Sequence, residues 1–415
     1  MQLRIRTRGT DMEDNRFELL SPAGDLERLI MAVNYGADAV YLAGKEFGMR
    51  AGAANFGEDS MAAAVTYAHE RGVKVYVTCN TLPREYELQR LPAYLESLQN
   101  DGVDALIIAD LGVLQLAKKY APKVAKHVST QLGVVNSETG NFLYEQGADT
   151  VVLARELSLE EIRSVRENTP QGLRLETFVH GAMCVSFSGR CLLSNYLTDR
   201  DANRGQCAQP CRWKYHLVEE HRPGEYFEIT EDNGTFIFNS NDMRMIEHLP
   251  ELMDAGVTSF KIEGRMKSAY YTACVTNAYR HAIDSALKGE PLDQIWLNET
   301  EQVSHRPYCT GFFYGTPGQH YGTSSYTQGA DIVAVVEQCD ESGNAILTQR
   351  NKFFKGDELE ILPPGGTPKA FEAAALFDEN DAEITETPRA MMKFKMKLPV
   401  FAPQYSIVRK ARKGN

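Results

Sequence analysis

At 415 residues the chain exceeds one typical domain, and a composition of 43% hydrophobic and 24% charged residues is that of a globular protein rather than a disordered chain. The formal net charge of −12 excludes a protein that coats nucleic acid without selectivity, although a local basic patch remains compatible with it. No apolar run is long enough to span a bilayer and the start, MQLRIRTRGTDMEDNR, lacks the apolar stretch of a leader, so a cytoplasmic protein is expected, where disulfides are rare.

Residues 1–16 read as a polar tail. From Phe17 onward, apolar strand-like runs alternate with helix-length segments: FELLSP, DAVYLA, VKVYVTC, DALIIAD, HVSTQ, TVVLA, RLETFVH and, later, SFKIEG. Such alternation predicts parallel β/α units. A weak repeat supports it: Gly36-Ala37-Asp38, Gly102-Val103-Asp104, Gly147-Ala148-Asp149 and Gly256-Val257-Thr258 each close a helical pattern and open every second strand. Glycine there supplies the left-handed residue that ends a helix. Ser158 stands three residues before Glu161, a capping-box spacing at a helix start. Residues 17–289 are therefore expected to form a (β/α)8 barrel, with a doubly wound open sheet as the alternative.

Between strands seven and eight lies an insertion, residues 182–241, running to a helix expected near Asp242. Its first half carries Cys184, Cys191, Cys207 and Cys211, with gaps of six, fifteen and three residues, in a Gly- and Arg-rich segment; the other four cysteines are scattered. Four thiolates on one segment can hold Zn²⁺ or an iron–sulfur cluster, and a single close pair, CAQPC, favours the cluster over a zinc ribbon. The second half, HLVEEHRPGEYFEITEDNGTFIFNS, reads as a β-hairpin. Because the insertion follows strand seven, it should cap the C-terminal mouth, where active sites of such barrels lie.

In strand eight charges alternate with apolar residues, so Lys261, Glu263 and Arg265 should point into the barrel and Phe260 and Ile262 toward the helices. Glu176 and His180 share one parity on strand seven, as do His127, Ser129 and Gln131 on strand five. Two readings stand: an ion-pair network that satisfies itself, or a polar lumen that binds an anionic substrate, which is the expectation taken. Arg50 and Asn55, on the loop after strand two, are further candidates for substrate contact.

The helix from Ser268 to Lys288 should close the barrel. Residues 290–330 read as a linker whose Arg306, Tyr308 and Phe312 are within reach of the mouth. From Asp331 the pattern changes to short alternating strands, predicting a small β-barrel domain over 331–415. From Arg389 to the end every charged residue is basic. Lys393, Lys395, Lys397, Arg409 and Lys410 are thus either a solvated face or an RNA-binding surface, which the arginines of the cysteine segment, with Tyr196, Trp213 and Tyr215 as stacking platforms, would extend. No H-E-x-x-H, G-x-S-x-G, phosphate-loop or dinucleotide-binding motif is present.

Five stretches carry a resemblance: ELLSPAG (Glu18–Gly24), HGAMCVSFSGRC (His180–Cys191), GQCAQPCRWKY (Gly205–Tyr215), KIEGRMKS (Lys261–Ser268) and SHRPYCTGFFYG (Ser304–Gly315). With them the chain resembles, across essentially its whole length, the collagenase-like peptidases of unknown catalytic type, group U, number thirty-two. The resemblance implies a barrel with a [4Fe–4S] cluster on Cys184, Cys191, Cys207 and Cys211. It also implies oxygen-independent hydroxylation of ubiquinone precursors, ribosomal RNA or the wobble uridine of tRNA, the last linked to prephenate. A barrel with one small β-domain matches the tRNA branch. The expectation is an iron–sulfur enzyme that forms 5-hydroxyuridine in tRNA and draws on an electron donor. In it Lys261, Arg265 and Arg50 would hold prephenate as cosubstrate, with His180 and Glu263 as proton-transfer groups. The alternatives are a collagenase-like peptidase and a non-catalytic, metal-stabilised RNA-binding module, with zinc as the alternative metal.

Overall fold

The structure is a computed structural model, described over residues 17–49, 54–184, 186, 191, 193–200, 202, 206–213, 217–218, 226–227, 240–318 and 326–412. The chain divides into two compact units, one of residues 1–33, 37–267 and 306–325, the other of 34–36, 268–305 and 326–415.

Seven strands of the first unit alternate with helices: β1 (Glu18–Pro22), β2 (Ala39–Leu42), β3 (Lys74–Cys79), β4 (Ala105–Ile108), β5 (Ala125–Val128), β6 (Thr150–Val152) and β7 (Arg174–Ala182). A short antiparallel pair, β8 (Leu217–Val218) and β9 (Tyr226–Phe227), follows in the stretch expected to form a hairpin. Then come β10 (Asp242–Arg244) and β11 (Ser259–Ile262), the eighth barrel strand. β11 pairs in parallel with both β1 and β7, which closes the barrel and excludes the doubly wound sheet. β2 and β4 are continuous apolar runs, as strands covered on both faces tend to be, whereas β5, β7 and β11 carry His127, Glu176 and Lys261.

The Gly-x-Asp repeat does more than end helices. Gly36, Gly102, Gly147 and Gly256 adopt φ of +105°, +81°, +88° and +87°, as the left-handed stop requires. The following aspartates then staple strand pairs. The Asp38, Asp104 and Asp149 carboxylates accept the backbone N–H of Leu19, Val75 and Lys126 at 2.9, 2.7 and 2.8 Å. Their own N–H groups donate to the carbonyls of those same residues. At the fourth repeat Thr258 keeps only the backbone half of this exchange, donating to the Leu175 carbonyl.

Where a helix was expected from Asp242, the chain first forms β10, antiparallel to β7 with Arg244 opposite His180, and becomes helical over Leu249–Asp254. Residues 290–330 are more than a linker: they contain a helix, Gln294–Glu301, and a strand, β12 (Tyr308–Cys309), which pairs in parallel with β10. Arg306, at the approach to β12, is fully buried and donates to the Ser240 carbonyl.

The second unit contains an eight-stranded antiparallel sheet, a half-barrel. Its strands are β13 (Ala330–Cys339), β14 (Asn344–Gln349), β15 (Glu358–Leu362), β16 (Lys369–Glu372), β17 (Leu376–Phe377), β18 (Glu383–Ile384), β19 (Lys393–Lys397) and β20 (Ile407–Ala411), in the order β16-β15-β20-β13-β14-β19-β17-β18. Val336, Leu347, Phe353, Ile361, Phe394 and Val408 are at its core. The helix Ala269–Lys288, expected to close the barrel, groups with this unit, so the division falls after Lys267 rather than after Gly289. Within the unit Asn277 donates to the Gly366 carbonyl, and Tyr35 donates to the Leu362 carbonyl.

Candidate active site

The lumen of the barrel is polar where a packed barrel is usually apolar. Lys261, at the centre of β11, places its Nζ 2.7 Å from Glu176 Oε1 on β7, with side-chain exposures of 5% and 0%. Ser259 Oγ donates toward the other Glu176 oxygen at 3.1 Å and also lies 3.2 Å from Glu18 Oε1 on β1. Glu18 in turn accepts from the Tyr76 hydroxyl at 2.8 Å and lies 3.4 Å from Arg174 and 3.6 Å from Lys74. The Lys261 ammonium also sits 4.8 Å from the Tyr41 ring centroid and 5.5 Å from that of Phe178, a favourable cation–π setting. Lys261 and Glu176, both expected to hold an anionic substrate, thus hold one another, as the self-satisfied reading required.

His127 stands in the same lumen, edge-on to Tyr76 with ring centroids 4.6 Å apart. Burial, and then the Arg174, Lys261 and Lys74 cations, push its pKa well below the ordinary histidine value, so the ring is neutral at physiological pH. Glu18, Tyr41, Tyr76 and Arg174 escaped sequence reasoning as lumen partners. Their inward parity was readable; the strand-to-strand pairing was not.

Toward the C-terminal mouth, Arg265 is buried and donates through one guanidinium nitrogen to Thr78 Oγ1 at 2.9 Å. A Cβ at Gly24 would stand 2.2 Å from the Arg265 carbonyl oxygen, so the loops after β1 and β11 meet backbone to backbone. Glu263 is half-buried and accepts from the Tyr41 hydroxyl at 3.2 Å. Its N–H donates to the His180 carbonyl at 2.8 Å, so the two proposed proton-transfer residues are neighbours at the ends of β7 and β11. The buried His180 ring lies 5.4 Å from that of Tyr308, over which Arg244 sits at 4.7 Å. Tyr308 does return to strand seven, as its sequence position allowed. Asn55 is half-buried with φ of +49° beside the Gly44–Phe56 bridge. Arg50 lies outside the described residues.

The four clustered cysteines leave the barrel from the end of β7. None is in a disulfide; Cys184 is exposed, and Cys191, Cys207 and Cys211 are half-buried. Cys184 Sγ lies 3.4 Å from Ser186 Oγ, and Cys207 Sγ accepts from the Gln209 N–H at 3.3 Å. As a donor set, four accessible thiols on one segment suit a four-sulfur site. Among the described residues, however, no three His, Cys, Asp or Glu side chains converge on a point a metal could occupy. By contrast, burial pushes the Cys79 thiol up to about 12 and raises that of Cys274 as well, so neither is a thiolate at neutral pH.

In the second unit the basic residues expected to grip RNA are largely engaged. Arg409 requires correction: its side chain is 2% exposed and forks onto both Glu299 oxygens at 2.6 and 2.8 Å, with its Nε 2.8 Å from Glu360. It lies on a strand flanked by β13 and β15, where an arginine is kept only by paired carboxylates. Lys410 pairs with Asp357, Lys393 with Glu337 and Lys395 with Asp381, at 2.7, 2.7 and 2.6 Å. Lys397 is exposed.

Charges gathered inside a closed parallel barrel, with four cysteines in no disulfide on the segment leaving its seventh strand, define a (β/α)8 barrel protein with a charged lumen and a thiol-bearing segment beyond β7. Two family descriptions fit it end to end: Peptidase family U32 over residues 24–322, and the Peptidase family U32 C-terminal domain over 328–409. The chain belongs to peptidase family U32, the family its five motifs resemble. It is 39% identical over 394 residues to the tRNA hydroxylation protein P1 of Bacillus subtilis, covering 92% of this chain and 93% of the relative. It is 39% identical over 362 residues to a 23S rRNA 5-hydroxycytidine synthase of Escherichia coli, covering 85% of this chain and 53% of the relative. It is also 33% identical over 371 residues to a collagenase of Porphyromonas gingivalis, covering 85% and 88%. Among the described residues no helix is long and apolar enough to cross a membrane.

Proposed function

We propose that this protein is an RNA-hydroxylating enzyme that forms 5-hydroxyuridine at the wobble position of tRNA, with a [4Fe–4S] cluster on Cys184, Cys191, Cys207 and Cys211. The observation that carries the reading is the match, over nine-tenths of both chains, to a protein named for tRNA hydroxylation. A second relative, named for hydroxylating a pyrimidine of ribosomal RNA, supports the same chemistry on the same carbon. A cluster held by these four cysteines would supply one-electron chemistry.

The chain's own residues have separable duties in this reading. Because Lys261 is neutralised by Glu176, the anion-holding role passes to Arg265, whose fork suits a carboxylate such as those of prephenate. His180 and Glu263, joined through their backbones, would move protons at the mouth, Glu263 being kept in place by the Tyr41 hydroxyl. The peptidase reading suggested by the collagenase-named relative gains nothing from Cys79 or Cys274, whose thiols are buried and protonated.

The test is nucleoside analysis of tRNA from a strain lacking the gene, complemented with the wild-type chain, with Arg265→Gln, or with all four clustered cysteines changed to serine. Loss of 5-hydroxyuridine-derived nucleosides in the deletion, restored by the wild type alone, is expected. Unchanged tRNA in the deletion strain would remove the proposal.

A further inference from the structure

The exposed large apolar side chains of the barrel unit are distributed very unevenly. Leu82, Tyr86, Leu111, Tyr196, Trp213 and Met266 are 47%, 70%, 46%, 78%, 40% and 52% exposed, and all stand on segments that follow the C-terminal ends of barrel strands. Of the other exposed large apolar side chains of this unit, Phe142 and Tyr144 are on the flank helix Ser137–Glu145, with the Tyr144 hydroxyl beside Gly172 at the opposite end, while Leu26, Val135 and Leu197 also follow the C-terminal ends of strands. Isolated exposed apolar residues need no explanation, but a ring of them at one end of a barrel marks a contact surface. The two most exposed are tyrosines on short helices, Glu85–Leu88 after β3 and Leu193–Thr198 after β7.

We infer that this aromatic rim is the RNA-docking surface, with Tyr86, Tyr196 and Trp213 stacking on unpaired bases of a loop whose target base enters the mouth. The inference rests on the RNA-hydroxylation reading above and supplies its missing interface. Three facts favour a single-stranded nucleic acid over a peptide. Flat, highly exposed aromatic rings are the platforms on which splayed bases stack, whatever their sequence. The stretch Cys184–Lys214 carries Arg190, Arg200, Arg204, Arg212 and Lys214 against only Asp199 and Asp201, a local positive balance in a chain of net charge −12. And on β19, part of the basic surface expected to grip RNA, Lys393 and Lys395 are paired with carboxylates.

The experiment measures binding of the full-length protein to an unmodified tRNA transcript, to its isolated anticodon stem–loop, and to a duplex of the stem alone. Tyr86→Ala, Tyr196→Ala and Trp213→Ala should each weaken binding of the tRNA and stem–loop by about tenfold. The salt dependence and the melting temperature should stay near wild type, since these rings are largely exposed. Phenylalanine at Tyr86 or Tyr196 should retain affinity, because the ring is what stacks. The combined Lys393→Gln, Lys395→Gln and Lys397→Gln variant should bind nearly as the wild type does. Wild-type affinity in the aromatic variants, with loss in the lysine variant, would overturn the rim and leave the hydroxylase reading standing. A wild-type protein that binds none of the three RNAs but binds a collagen-like peptide through the rim would overturn both.

Discussion

Lys261 Nζ and Glu176 Oε1 lie 2.7 Å apart in the middle of the barrel, with both side chains closed off from solvent. This pair joins the last barrel strand to the seventh, across the seam where the barrel closes. A lysine that answers a carboxylate inside the protein has no net charge to offer a substrate.

Removing one partner should therefore damage the fold more than replacing both. Lys261→Met or Glu176→Leu alone strands a buried charge and should lower stability by about 3–5 kcal/mol, while the double variant should recover much of the loss. Denaturant unfolding of the singles and the double checks this; additive losses would show that the two charges do not act as a pair.

The buried neutral His127 predicts a pH dependence of stability. Its folded pKa lies below the unfolded one, so between the two values only the unfolded chain takes up the proton. The stability contribution is complete above roughly pH 6.5 and falls as pH drops below it, by up to about 1.4 kcal/mol per pH unit. Unfolding free energies of wild type and His127→Gln, compared from pH 7.5 to 5.5 (about one unit on either side of the reference histidine pKa), should converge toward the acid end. Parallel curves would assign the slope to other groups.

Arg409 should behave as a structural residue. Burial disfavours its charge, yet hydrogen bonds and attraction from Glu299 raise its pKa, so it stays a cation. Arg409→Ala leaves Glu299 buried without its partner and should destabilise the second unit by about 3–5 kcal/mol. Arg409→Lys cannot reproduce the fork and should recover only part of this. Thermal melting reads both, and an unaltered transition in Arg409→Ala would contradict the assignment.

Protein prepared without oxygen should contain about four iron and four acid-labile sulfide per chain, and the quadruple Cys→Ser variant almost none. Zinc in place of iron, retained at one per chain, would assign the segment a structural metal and remove redox chemistry from the proposal.

The Asp staples give a quieter expectation. Asp149→Ala, which frees the Lys126 N–H, should cost about 1–3 kcal/mol, with Asp149→Asn milder because the amide oxygen still accepts. Equal losses in the two variants would show that the charge, not the acceptor, matters.

Local pattern alone indicated eight barrel strands, the glycine stops and the family, although the fifth strand ends at Val128 and Ser129 caps a 3-10 turn that holds Gln131, both of which the pattern had placed on the strand. It also indicated that Lys261, Glu176, His127 and Arg265 share the lumen, because strand parity fixes which face a side chain takes. What the tertiary structure decided was pairing. Lys261 was taken by Glu176, 85 residues away, and Arg409 by Glu299, 110 residues away, turning expected ligand contacts into internal ion pairs. The same holds for Asp242–Arg244, a strand because β7 and β12 offered open edges on either side, and for the helix Ala269–Lys288, which groups with the second unit. A residue's face follows from its neighbours in sequence. Whether its charge meets solvent, a ligand or an opposite charge depends on chain that lies far away until it folds.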